Sequence, residues 1–378
     1  MVLPHVILHL LTGLAASSIT DAQRWEPRPT CWTCMSRGKI LEPGIGINLE
    51  LSYITAAIRY HNSSVRNIVR IEGTQEYKSL MRGLAVRDSR DAIYTSGEPW
   101  KAEHGLTSHS SNTEVNLDLA QHQLTPSLRD PAQIIGSLLC TLKASAKASI
   151  SQPLSSALAT FPNLPGLQYQ VVSDAFDYAG IHLLNEGRLA PVAAASAANG
   201  LGLCETYAEL DVCDVEEAQM AMKRVLAIDY TRAALTVTLS PFQASHNGFD
   251  WNEHRAWDLG ADALLDREGV ELDKYWQRVR DEVQKLPKKA QVGRPITHVL
   301  LTGESALDEA FLDVARDALS DVLPEAVALS FTQTSVMQMV SPLFAKARGA
   351  AELAKRKSES PDECVETAIC RWWRKQIG

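Results

Sequence analysis

Ile45-Gly46-Ile47-Asn48-Leu49-Glu50-Leu51-Ser52-Tyr53-Ile54-Thr55-Ala56-Ala57-Ile58 constrains the fold more than any other stretch of this chain. Two apolar runs rich in β-branched residues flank a short step containing Asn48, Glu50 and Ser52. That pattern predicts two strands joined by a tight turn. The runs at 45–47 and 53–60 form one hairpin, and His61-Asn62-Ser63-Ser64 turns the chain into a third strand at 67–72.

The same alternation of strand and helix signals continues downstream. From 88 to 130 the composition turns polar and reads as a loosely built insertion. Asp130-Pro131 then suits an N-cap and first turn, opening a helix over 132–150. Its apolar face is Ile134, Ile135, Leu138, Leu139 and Leu142. The stretch 162–172 predicts a loop and then a strand, with a helix near 174–179. An alanine-rich helix at 191–198 stops at Asn199-Gly200. A second hairpin follows at 225–229 and 234–239, then a helical stretch over 257–286. A buried strand at 297–301, a helix at 307–319 and a last helix at 344–355 complete the pattern. Two sets of hairpin strands followed by helices predict an α/β protein made of two related lobes.

With 378 residues there is enough chain for two cores. The net charge of −8 argues against a nucleic-acid or acidic-membrane surface, each of which needs clustered basic charge. Arg371-Trp372-Trp373-Arg374-Lys375 is the one basic aromatic cluster of note, and reads as a solvated or docked tail before a binding patch. No interior run has the length and apolarity of a membrane span. Residues 2–20 are mostly apolar and end in small residues. This is the shape of a secretory signal with Ala22 before the cut, although a basic start is missing. A cytoplasmic N-terminal segment is the alternative.

The seven cysteines are Cys31, Cys34, Cys140, Cys204, Cys213, Cys364 and Cys370. In a secreted chain Cys31 and Cys34 would pair with Cys364 and Cys370, and the odd total leaves a free thiol. A zinc site from those four has the wrong spacing in its second pair and no supporting His. Cys31-Trp32-Thr33-Cys34 lacks the flanking strand and helix of a thioredoxin-like site. Asn62-Ser63-Ser64 is a glycosylation sequon, meaningful only in the secretory pathway.

The first hairpin resembles the phosphate loop of the actin and heat-shock-chaperone superfamily, Ile-Gly-Ile-Asp-Leu-Gly-Thr-Thr. Further stretches are similar, in order, to the nucleotide-binding domain of the seventy-kilodalton heat-shock chaperones across residues 44–355. Asp130-Pro131-Ala132-Gln133-Ile134-Ile135 resembles the segment crossing between lobes. Leu189-Ala190-Pro191-Val192-Ala193-Ala194-Ala195, running on to Asn199-Gly200-Leu201, resembles Glu-Pro-Thr-Ala-Ala-Ala with its closing Tyr-Gly-Leu. Ile228-Asp229-Tyr230-Thr231-Arg232-Ala233 stands where the second loop, Asp-Leu-Gly-Gly-Gly-Thr, belongs. Leu259-Gly260-Ala261-Asp262, Thr302-Gly303-Glu304-Ser305 and Ala347-Arg348-Gly349-Ala350-Ala351 resemble the later motifs. The implied fold is a two-lobed, actin-like ATPase of the ribonuclease H-like type. Its expected parts are a signal peptide at 1–22, an irregular lead-in at 23–43 and a first lobe at 44–187. A second lobe with a shortened helical subdomain covers 188–340, a closing helix packs on the first lobe at 341–357, and a tail fills 358–378.

The resemblance implies an ATP or ADP site with magnesium, lined by Asn48, Leu49, Glu50, Leu51, Ser52, Thr231, Arg232, Ala233, Gly260, Gly303, Glu304 and Ser305. In such loops glycines let backbone N–H groups reach phosphate, and carboxylates hold the hydrated metal. Here Asn48, Ala190 and Thr236 stand at three of the four carboxylate positions, and Asp229 alone would be catalytic and hold the metal. Losing one positioned electrostatic group commonly costs about 10²–10³ in rate, so efficient hydrolysis is not expected. Thr231, Arg232 and Ala233 replace three glycines and would crowd a pyrophosphate. Arg232 would either contact phosphate or pair with Glu50 or another acid across the cleft and close it, the second being favoured. Leu307 stands where the family stacks an arginine on adenine, the adenine-clamping subdomain is short, and Lys78 is a weak match to the catalytic lysine.

His254, in a polar loop, and His298, beside a buried strand, read as structural histidines. Ser196 and Ser305 lack a placed His–Asp pair for a triad. About one helix follows the matched stretch, so the family's peptide-clamping β-domain is not expected. The leading expectation is a degenerate, chaperone-like pseudo-ATPase acting as a binding or regulatory module for an unknown protein partner. A slow ATPase using Asp229, Asn48 and Arg232 is the alternative, and a secreted protein with a repurposed ligand cleft is a third reading.

Overall fold

The computed structural model describes residues 28–86, 130–150, 153–250, 252–265, 267–290, 295–324, 327, 340–360 and 364–377. The expected signal peptide and the polar insertion up to residue 129 lie outside the described residues.

The first sheet grows from the opening hairpin. β1 (Gly44–Leu49) pairs antiparallel with β2 (Tyr53–Arg59), which pairs antiparallel with β3 (Val65–Glu72). β4 (Ser156–Thr160) adds parallel to β1 on its other side, and β5 (His182–Leu183) adds parallel to β4. The order is β3-β2-β1-β4-β5. Every residue of β1 and β2 is buried, as central strands covered on both faces require, whereas β3 is half exposed at the edge. The chain enters through α1 (Arg37–Leu41), and α2 (Gln75–Val86), α3 (Pro131–Ser149) and α4 (Tyr169–Tyr178) accompany the sheet. Asp130 caps α3, its side chain accepting from the Ala132 N–H at 3.1 Å, and the five expected apolar residues are buried.

The second sheet repeats the arrangement. After α5 (Pro191–Ala198) and α6 (Leu210–Gln219), β6 (Lys223–Tyr230), β7 (Leu235–Phe242) and β8 (Asn252–Ala256) form an antiparallel meander. α7 (Gly269–Ala290) then leads to β9 (His298–Thr302), parallel to β6, and α8 (Glu309–Ser320) follows. The order β8-β7-β6-β9 matches that of β3-β2-β1-β4. The fold is therefore α/β with two mixed sheets of related topology, each over its own apolar core.

A third cluster joins the two. It brings together Leu158 of β4, Ala193–Ala195 of α5, Val225 and Ala227 of β6, Leu300 of β9, and Ala350 and Ala354 of α9 (Ala345–Glu359). The crossing is possible because its residues are small. A Cβ on Gly349 would stand 1.6 Å from the Ala194 carbonyl oxygen, and one on Gly46 would stand 2.2 Å from the Ala347 carbonyl oxygen. Further along α9 the fully buried Lys355 donates to the Ile40 and Glu42 carbonyls, both at 2.6 Å, and pairs with Glu359 at 2.8 Å.

Three disulfides stitch the fold: Cys31–Cys364, Cys34–Cys370 and Cys204–Cys213, leaving Cys140 free and exposed. The first two clamp the lead-in to the C-terminal residues, including α10 (Ala368–Lys375), so the tail is docked. Such bonds suit an oxidising environment. No helix among the described residues is long and apolar enough to cross a membrane. Asn62 is exposed, its side chain folded onto the N–H and hydroxyl of Ser64.

Some local expectations need correction. The strand sought at 162–172 lies earlier, as β4, where the small Ala157 and Ala159 are fully buried and Leu158 lies opposite Gly46 of β1; residues 169–178 are helical. The helix expected over 257–286 is two 3₁₀ turns, Trp257–Leu259 and Ala261–Leu264, followed by α7. Gly260, pressed against the Arg232 carbonyl, breaks the run. His254 lies in β8, between Glu282 and Lys285 of α7, and is not in a loop.

Candidate functional site

In open α/β sheets, ligands gather at the carboxyl ends of parallel strands. Here those ends are β1 with β4 and β6 with β9, and the two pairs are built alike. Asn48 lies opposite Thr55 and Thr160. Asp229 lies opposite Thr236 and Thr302. All six residues are buried. The turns that follow, Glu50-Leu51-Ser52 and Thr231-Arg232-Ala233, carry the remaining loop residues expected from the sequence.

Between them stands a side chain that the sequence reading missed. Lys346, from the first turn of α9, places its Nζ 2.6 Å from Glu50 Oε2 and 2.9 Å from Asp229 Oδ1. Asn48 Nδ2 contacts the same Glu50 oxygen at 3.4 Å, and Thr302 Oγ1 donates to Asp229 Oδ1 at 2.8 Å. The ammonium and both carboxylates are nearly inaccessible to water. Burial alone would lower the Lys346 pKa, but Asp229 and Glu50 more than offset it and the ammonium is held charged well above its usual range. Glu50 is pushed upward by burial and by the charge of Asp229, with Lys346 opposing. Tyr77 donates to the Glu50 carbonyl at 2.6 Å, and burial together with the Glu50 charge drives its phenol well above its normal value.

A second, outer latch crosses the same gap. Arg70 of β3 pairs with Glu304, which follows β9, and with Glu72 at 2.7 Å, and it lies 4.8 Å over the Tyr53 ring. Glu304 Oε1 also accepts the Arg232 N–H at 3.1 Å. The Arg232 side chain turns away to Asp262 at 2.7 Å. It pairs with an acid, as the sequence reading favoured, but with one on its own side and not with Glu50. Lys346 and Arg70 do the closing. Lys78 pairs with Glu72 at 2.5 Å and stays outside the central cluster.

The turn geometry explains the glycines. Gly303 has φ +100°, and a Cβ there would meet the Tyr230 carbonyl oxygen at 2.3 Å, so no other residue fits easily. Ser305 N–H then donates to that same carbonyl at 3.1 Å. Gly260 allows Ala261 and Asp262 to donate to the Thr231 and Arg232 carbonyls. Asn48, Leu49, Glu50, Leu51, Ser52, Asp229, Thr231, Arg232, Ala233, Gly260, Gly303, Glu304 and Ser305 thus converge on one region.

What that region can hold is limited. The void bordered by Glu50, Asp229, Thr302 and Lys346 measures about 30 Å³. That is roughly the share of liquid volume of one water molecule, against the 300–1,000 Å³ or so of small-molecule sites. A hydrated magnesium ion needs oxygen ligands free to turn to it. The two nearest carboxylates are instead engaged by an ammonium, so the residues as placed do not fit the metal. Glu253 and Arg255 of β8 line the far wall, and burial pushes the Glu253 carboxyl up to about 7. Asn48 Oδ1, Ser52 Oγ and Thr55 Oγ1 are buried with no hydrogen-bond partner among the described residues.

Lys346 carried a faint sequence signal. It is a lysine amid Ala345, Ala347 and Gly349 with no acid three or four residues away, where a surface lysine usually finds a helix-face partner. Ser196 is buried, its hydroxyl without a hydrogen-bond partner among the described residues, and His298 lies within β9 with burial lowering its pKa. A much roomier cavity, about 600 Å³, lies elsewhere, lined by Cys204, Cys213, Tyr207, Arg356 and Lys357. No protein-family model matches the chain, and no curated protein does.

Proposed function

We propose that this chain is a degenerate relative of the actin and heat-shock-chaperone ATPases, with two lobes derived from the duplicated sheet unit. Its nucleotide cleft is sealed by its own salt bridges, and it acts as a pseudo-ATPase: a binding or regulatory module for a protein partner. One observation carries the reading. Lys346 fills the position between Glu50 and Asp229 that a metal and phosphate would need, and it does so as a doubly paired, buried ammonium. The repeated topology, the small-residue crossing of α5 and α9, and the ordered motif resemblance support the ancestry. Three disulfides favour a secretory or extracellular setting.

The test is a thermal-shift titration with Mg-ATP, Mg-ADP and nucleotide without metal. The expected result is no shift, because ligand stabilisation requires binding to the folded state. A metal-dependent rise in Tm that Asp229→Ala abolishes would replace this reading with a slow ATPase.

A further inference from the structure

The turn between β2 and β3 carries more polar chemistry than a link between two strands requires. Its backbone is closed by two bonds: Tyr60 N–H donates to the Ser64 carbonyl at 2.9 Å and Ser63 N–H to the Tyr60 carbonyl at 3.1 Å. Ser63 has φ +65° and is the one non-glycine residue in the left-handed region among the described residues. Glycine or asparagine is the usual occupant of such a position. Here serine takes it and the asparagine stands one place earlier, so Asn62 is not present for its backbone freedom.

Asn62 is engaged through one end of its side chain only. Oδ1 accepts the Ser64 N–H at 3.1 Å and the Ser64 hydroxyl at 2.6 Å, the bonds of an Asx turn. Nδ2 donates to nothing among the described residues, and Asn62, Ser63 and Ser64 are all exposed. Asn185 and Asn199 differ, each spending its Nδ2 on a backbone carbonyl at 2.8 Å. The turn is anchored by the neighbouring His61, whose Nδ1 meets Glu359 of α9. Asn62 alone among the asparagines of the chain has a serine or threonine two places on.

We propose that Asn62 is an N-glycosylation site, occupied by one oligosaccharide. The donor is an oligosaccharide carried on a lipid diphosphate, and a membrane-bound transferase acts on the turn. Nδ2 forms a bond to C1 of the first sugar, and the bond from C1 to the diphosphate oxygen breaks. The lipid diphosphate departs with that electron pair, and Nδ2 gives up one proton to a base of the transferase. The hydrogen bonds on Oδ1 polarise the carboxamide and make that proton more acidic. The closing bonds all lie within residues 60–64, so the geometry can form before the sheet does. In the finished fold the exposed turn leaves room for a bulky, solubilising group. The inference rests on the secretory setting that the disulfides favour and is independent of the sealed cleft.

The experiment expresses the full chain in a eukaryotic cell and recovers it from cells and medium together. Peptide N-glycosidase should lower its mass in a single step and convert Asn62 to aspartate, read by mass spectrometry in the tryptic peptide 60–66. Asn62→Gln and Ser64→Ala should each abolish the step, and Ser64→Thr, which keeps the hydroxyl, should retain it. Disulfide mapping of the same samples separates this proposal from the setting it rests on. An unmodified Asn62 with Cys31–Cys364 and Cys34–Cys370 formed would overturn the proposal and leave the secretory setting standing. An unmodified Asn62 with free thiols at those four cysteines would overturn both. A step that survives Asn62→Gln or Ser64→Ala would also overturn it. Should those variants fail to accumulate, the mass of the wild-type peptide decides alone.

Discussion

Replacing Lys346 with methionine tests the sealed cleft directly. The substitution keeps the stem and removes the charge, leaving Glu50 and Asp229 facing each other with no cation between them. Breaking a buried ion pair by removing one partner costs about 3–5 kcal/mol, and here one ammonium serves two carboxylates. The protein has one escape: Glu50, whose pKa is already raised by burial and by Asp229, loses the opposing influence of Lys346 and rises further. An acid with a raised folded pKa destabilises the fold above that value, and protonation removes the penalty as pH falls through it. The loss in Lys346→Met should therefore be largest near pH 8 and shrink towards pH 5. Adding Glu50→Gln should restore much of it, because the remaining Asp229 keeps its bond from Thr302. Urea denaturation of the two variants and the wild type at both pH values supplies the numbers. A loss under about 1 kcal/mol at pH 8, or one independent of pH, would refute the claim that the lysine holds the cleft shut.

Glu253→Gln should act in the opposite sense. The folded carboxyl, pushed up to about 7 by burial from an ordinary 4.5, binds more protons than the unfolded chain between those values, so it destabilises the wild type as pH rises through that window. The variant should be the more stable by up to about 3 kcal/mol at pH 8, with no gap near pH 4.5, as denaturant melts will show. The Cys31–Cys364 and Cys34–Cys370 bonds span 333 and 336 residues and hold the same two chain ends. Removing either alone should cost little in Tm, whereas removing both should cost on the order of 5 kcal/mol of loop-closure entropy. Gly349→Ala gains about 1 kcal/mol of helix propensity but drives a Cβ into the Ala194 carbonyl, so a net loss of at least about 2 kcal/mol is expected by calorimetry.

Strand and helix periods made the hairpins of both sheets, the capped helix from Pro131 and the alanine-rich crossing helix readable from sequence. Each of those signals is local. β4 was misplaced because Ser156-Ala157-Leu158-Ala159-Thr160, with one large apolar residue, carries no strand signature until β1 lies beside it. β8 was missed because Asn252-Glu253-His254-Arg255 looks like a loop, although Arg255 and Glu253 pack side by side at the sheet edge. The loop residues of the site were readable through their motif order. Their closure was not, since Lys346 lies 296 residues from Glu50 and only the crossing of α9 over β1 brings them together.

The same lysine changes how Asp229 should be understood. By sequence, an aspartate at the end of β6, beside three positions that lack their carboxylates, looks like the remnant of a metal site. In the fold, Asp229 and Glu50 are the two counter-charges of one buried ammonium. Replacing Asp229 by the amide found at its counterpart, Asn48, would leave Lys346 with Glu50 alone. Desolvation lowers the pKa of a buried lysine, and a single partner whose own carboxyl is pushed towards neutrality offsets that poorly. The asymmetry between Asn48 and Asp229 then follows from electrostatics: a single buried cation needs two acids, Glu50 supplies one from the first sheet, and the second sheet must supply the other. On that reasoning Asp229 holds the two halves together, and its presence does not require turnover.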